Sequence, residues 1–195
     1  MMTNFSHPTY ELARTFALQA AAGALMPPMS LPMATVILAS TALESFLNEE
    51  IEMTKGSPEN VAWAESLQES RGLSLEAKWV LFLRLWRGKT FDTGRQPYAD
   101  FALLIELRNV LVYRAARFYG ADKPFPGKRV EGLRARFRFT PAEEGTFVSW
   151  DSQVMNANCA RWACNTAAAL RAEHCKLVGR GPGAAWEPVP EPETR

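Results

Sequence analysis

Apolar residues recur through most of this chain at the three- and four-residue spacing of a helical face, and the breaks fall at proline and glycine. A first helix is predicted over about residues 9–24, stopping before Pro27 and Pro28. A second starts near Pro32, a residue suited to a helical first turn, and runs to about Lys55. Met33, Val36, Ile37, Ser40, Glu44, Leu47 and Ile51 share one of its faces. Gly56 closes it, and Ser57-Pro58-Glu59-Asn60 opens a third helix through about Glu69. A fourth follows Gly72 over about residues 74–86, and the turn-rich stretch RGKTFDTGRQP (87–97) is a loop. The fifth begins near Pro97.

Beyond it, ADKPFP (121–126) does not suit a helix. The alternation LRARFRF at 133–139, then TPAEEG and TFVSW, predicts two short strands and a turn, a β-hairpin insert over about 133–150. A last helix is predicted over about 151–178. The tail 179–195 carries three glycines and four prolines and is predicted to be disordered. The fold class is therefore all-α: one domain over residues 1–178, about six helices and a small hairpin.

Composition narrows this picture little. At 195 residues the chain can bury a full core, and 47% hydrophobic with 22% charged residues is ordinary for a soluble domain. No apolar run near the ~20 residues that span a bilayer is evident, and no basic flank leads into an apolar stretch at the N-terminus, so neither a membrane anchor nor a secretory signal is expected. Three cysteines do not make a disulfide framework, which fits a reducing, cytoplasmic setting. The charge of +1 hides an asymmetry: residues 1–70 carry 8 acidic and 2 basic side chains, residues 71–140 carry 15 basic and 6 acidic. The basic middle either faces a polyanion or is balanced by the acidic N-terminal helices.

Arg108 is the most informative position. Phe101, Leu104, Ile105, Val112 and Ala115 surround it on one stripe of the fifth helix, and a guanidinium there demands a partner or a job. Glu44 occupies the matching place in the second helix. A buried Glu44–Arg108 pair follows, read either as a core salt bridge fixing helix register or as a pocket in which Glu44 orients Arg108. Asn48 is one turn beyond Glu44, Asn109 adjoins Arg108, and Tyr113 follows Asn109 by one turn.

Other chemistry is poorly supplied. Cys159 and Cys164 lie roughly 140° apart around a helix, and Cys164 and Cys175 are about 16 Å apart along one, so no metal site and no cofactor is expected. Histidine is limited to His7 and His174, and no serine or cysteine has an activated neighbourhood. Gly88-Lys89-Thr90 ends like a phosphate loop, but Leu83 stands where the leading glycine belongs. On the predicted hairpin Arg134, Arg136 and Arg138 share one face, suited to three phosphate contacts or to a plain solvated strand. Trp79, Phe82 and Trp86 recur at core-packing spacing.

The segment ELRNVLVYRAARF resembles the signature helix of HEPN domains, helical bundles that are often dimeric and many of which are metal-independent endoribonucleases of defence and toxin systems. Their motif is an arginine, a polar residue, then three or more residues and a histidine. Arg108 and Asn109 match it, and Tyr113 stands at the histidine position. ALESFLNEEI (42–51), the run 78–109 and ARWACNTAAAL (160–170) resemble neighbouring family helices, so the likeness covers about residues 30–178. It implies a homodimer in which Arg108, Asn109 and Tyr113 of both protomers converge on RNA. Histidine titrates near 6.5 and tyrosine near 10, so the substitution removes the natural proton-transfer group. The tyrosine that some family toxins carry two residues after the histidine, and modify, is Ala115 here. Three readings follow: a degenerate RNA-binding homodimer; an active endoribonuclease using Arg108 and Tyr113; or a module for a protein partner, with Glu44 and Arg108 paired in its core.

Overall fold

Among the described residues the helices lie close to the predicted runs. The computed structural model describes residues 5–23, 29–114, 133, 137, 154–181 and 186–191, with only the backbone of Tyr113 and Arg114. Its helices are α1 (Ser6–Ala21), α2 (Ser30–Thr54), α3 (Pro58–Glu69), α4 (Leu75–Arg87), α5 (Tyr98–Arg114) and α6 (Ala157–Val178). No strand occurs among the described residues. The predicted hairpin lies almost wholly outside them. Where it can be checked it is corrected: Phe137 N–H donates to the Leu133 carbonyl at 3.0 Å, an i to i+4 bond of a helical turn that an extended strand does not make.

Helix α2 is the axis of the bundle and touches each of the other five described helices. Its buried positions include Val36, Leu43 and Glu50 on one seven-residue row and Ser40, Leu47 and Thr54 on the next. The predicted face was centred one position away, so Met33, Ile37 and Glu44 fall on its margin, half-buried. By length and composition α2 is also apolar enough to cross a membrane, contrary to the sequence expectation, yet more than half of its most apolar window is buried inside the bundle. Small residues at the seams, Ala13, Ala17, Ala39, Ala163 and Ala167, are buried and let α1, α2 and α6 approach closely. The large core side chains are Trp79, Tyr10, Phe82 and Phe101.

Helix α1 starts earlier than predicted because its cap comes from another helix. Glu49 of α2 accepts from the backbone N–H of Phe5 at 2.8 Å and of Ser6 at 2.9 Å, and from the Ser6 hydroxyl at 2.7 Å. A carboxylate at a helix N-terminus satisfies orphan donors and opposes the positive end of the helix dipole. Replacing Glu49 with alanine is expected to lower stability by about 1–2 kcal/mol, read as a lower urea midpoint with an unchanged slope.

Helix α6 is bounded by local signals instead. The Asn156 side chain accepts from Cys159 N–H at 3.0 Å at its start. At its end Gly179 adopts a left-handed φ of 74°, and Arg180 N–H returns to the Cys175 carbonyl at 2.9 Å. This is a Schellman closure. Lys89 adds its ammonium to the Leu177 carbonyl at 2.8 Å, a cation at the negative end of the helix.

The predicted disorder of the C-terminal tail is corrected for residues 186–191, which lie against the bundle with Trp186 and Val189 buried. Proline and glycine content misjudged this stretch because the contacts that hold it come from residues distant in sequence. Tyr10 stacks on Trp186 at 4.5 Å between centroids and donates its hydroxyl to the Glu187 carbonyl at 2.6 Å.

Candidate functional site

On α5 the buried side chains are Tyr98, Phe101, Leu104, Ile105, Leu107, Val110 and Leu111. At 100° per residue Arg108 lies within about 60° of Phe101, Leu104, Ile105 and Leu111. It is nonetheless half-buried, its side chain 27% exposed. Asn109 is exposed, and so is Val112, which the sequence placed in the core stripe.

Arg108 and Glu44 do meet, Nη2 to Oε2 at 3.7 Å, but the Glu44 side chain is 47% exposed. The pair belongs to the surface, which corrects the expectation of a buried one. The cause is the one-position rotation of α2, which turns Glu44 out of the core. A long, wet contact of this kind contributes about 0–1 kcal/mol. The other half of the guanidinium donates from Nη1 to Asn109 Oδ1 at 3.3 Å. Two donor groups of Arg108 are thus held loosely at the surface, within reach of an incoming anion.

Asn48 is exposed on α2, one turn beyond Glu44. Tyr113 shares α5 with Arg108 and Asn109, and its side chain lies outside the described residues. Arg134, Arg136 and Arg138 lie outside them altogether. The structure thus brings together Glu44, Arg108 and Asn109.

The charged cluster that is buried was not foreseen. Glu50, 1% exposed, receives Arg180 Nη1 on Oε1 at 2.7 Å and faces His174 Nε2 with Oε2 at 3.0 Å. An ionised carboxylate oxygen only accepts, so the imidazole holds a proton on Nε2. His174 is fully buried, and its Nδ1 has no hydrogen-bond partner among the described residues. Its ring lies against Phe82, stacked at 5.9 Å, and meets the edges of Phe46 and Trp79 at 5.4 and 5.3 Å. The sequence signal was present: Glu50 continues Val36 and Leu43, and His174 follows Ala167 by seven and Leu170 by four. This cluster joins α2 to the end of α6, with Glu50 and His174 buried and Arg180 39% exposed.

All three thiols are free and buried. Burial pushes Cys164 up to about 12 and holds Cys159 higher still, and it also raises Cys175. They remain protonated near neutrality and are poor nucleophiles and poor metal ligands. Trp79 and Phe82 pack in the core as the spacing predicted, with Trp86 half-buried against Phe82 at 5.2 Å. One shallow depression is lined by Gln96, Asp100, Trp162 and Thr166, where the loop before α5 meets α6, and neither histidine nor cysteine faces it.

Compared with known proteins, the chain matches no family model, no curated protein and no solved structure.

Proposed function

We propose that the chain is a HEPN-like RNA-binding protein, a cytoplasmic homodimer related to metal-independent endoribonucleases but weakened in cleavage. The observation that carries this reading is the accessible guanidinium of Arg108. It sits beside Asn109, and its carboxylate partner Glu44 is itself half-exposed at 3.7 Å. A phosphate can replace so loose a partner, since a bidentate arginine–phosphate contact is stronger than a surface ion pair. Exposed Val112, one turn from Arg108, is apolar surface of the kind a second protomer covers. In this reading Arg108 binds phosphate, Asn109 orients it, and Tyr113 contacts sugar or base. Without histidine the proton transfers of cleavage lack a group that titrates near neutrality.

Filter binding to single-stranded RNA tests the proposal. Arg108→Ala is expected to weaken binding by about tenfold, equal to about 1.4 kcal/mol, and to flatten its salt dependence. Tyr113→His is expected to confer cleavage that survives a chelator. Absence of salt-sensitive binding, or binding indifferent to Arg108→Ala, overturns the reading. The protein-module alternative loses its buried Glu44–Arg108 pair and has no specific observation in its favour at this surface.

A further inference from the structure

Residues 186–191 read Trp-Glu-Pro-Val-Pro-Glu, and their burial has period three: Trp186 and Val189 are buried, the four others exposed. Three residues per turn is the period of a polyproline II helix, and Pro188 and Pro190 fix the φ that this helix requires. Such a helix has no internal hydrogen bonds, so whatever holds it must reach its backbone with side chains. Here that is what happens. Tyr10 donates to the Glu187 carbonyl at 2.6 Å. The Asn165 amide engages both polar groups of Val189, accepting from its N–H at 2.7 Å and donating to its carbonyl at 3.1 Å.

The side chains are read as well. Trp186 fills a slot between the face of Tyr10 at 4.5 Å and Phe46 at 5.9 Å, with the Arg171 guanidinium 5.4 Å from its ring. Arg14 meets Glu187 and Arg161 meets Glu191, each at 3.2 Å. An aromatic slot, side-chain contacts to the backbone and flanking cations are the elements by which proline-rich segments are recognised in other proteins' grooves. All of these groups belong to α1, α2 and α6, and none depends on how the segment is joined to the chain. The join, residues 179–185, reads Gly-Arg-Gly-Pro-Gly-Ala-Ala.

We propose that this face of α1 and α6 is a peptide-reading groove for polyproline II segments of partner proteins. Its ligand carries a tryptophan anchor, a carboxylate next to it, and an aliphatic residue three positions on between prolines. Residues 186–191 occupy the groove in cis and act as its plug. This site is separate from the Arg108 surface and does not depend on the RNA-binding reading.

The test uses the full chain and a fluorescein-labelled peptide of the sequence AAWEPVPEP, followed by fluorescence polarisation. In Trp186→Ala the plug loses its anchor, and this variant, folded by circular dichroism, is expected to bind the peptide in the micromolar range. Wild type, whose own tail competes at an effective concentration of about millimolar, is expected to bind at least roughly 100-fold more weakly. Adding Asn165→Ala to Trp186→Ala is expected to lower affinity by about tenfold, and the peptide with its tryptophan replaced by alanine is expected not to bind. A folded Trp186→Ala chain that ignores the peptide overturns the proposal. So does a Trp186→Ala chain that fails to fold, because the tail is then core and not ligand. Concentration-dependent dimers of wild type that vanish in Trp186→Ala show a second copy's tail as the occupant and overturn the assignment to a different partner.

Discussion

Glu50→Ala is expected to destabilise the fold by about 3 kcal/mol, measured as a fall in the free energy of urea unfolding. The substitution removes the acceptor for His174 Nε2 at 3.0 Å and for Arg180 at 2.7 Å. The two orphaned groups fare differently. Arg180 is 39% exposed and can turn into water, which keeps the effect toward the lower end of that for breaking a buried pair. His174 has no such route, being fully buried with Nδ1 already unpartnered, so its Nε2–H becomes a second unsatisfied group. Glu50→Gln retains one acceptor oxygen and is expected to lose about half as much. A loss under about 0.5 kcal/mol for Glu50→Ala, the range of ordinary surface changes, contradicts the account of this cluster.

Trp79→Ala is expected to lose about 4 kcal/mol. Trp79 is fully buried and its ring lies near Phe46, Phe91 and Phe101 at 6.0 Å each and near His174 at 5.3 Å. Those four neighbours come from α2, the loop before α5, α5 and α6, so the cavity opens where four parts of the bundle converge and cannot collapse from one side. Because Trp79 and Glu50 both touch His174, their double variant is expected to depart from additivity by more than about 0.5 kcal/mol. Two sites with no shared neighbour show no such coupling. Arg108→Ala, in contrast, is expected to change stability by less than about 1 kcal/mol, as the wet geometry of its pair requires.

The helices were legible because apolar periodicity and proline or glycine breaks are local signals. Pro58, Ser74 and Gly88 mark ends that depend on nothing beyond a few residues: Ser74 accepts from Ala77 N–H at 3.2 Å, and Gly88 closes α4 with a φ of 64°. The start of α1 was misjudged because its cap, Glu49, is more than forty residues away in sequence. The pairing of Glu44 with Arg108 was legible, and its burial was not. A stripe drawn on α2 one residue off its true centre gave Glu44 the depth that belongs to Glu50. The tail was misread for the same reason as α1: Trp186 and Val189 acquire their order from Tyr10 and Asn165, which composition does not reveal.

The hydrogen bond between Tyr10 and the segment carrying Trp186 joins residues 177 positions apart in the chain. A ribosome makes α1 long before residues 186–191. During synthesis the aromatic slot beside Tyr10 is therefore vacant and wet, however well the intervening helices have packed. A product truncated before Trp186 carries that slot open.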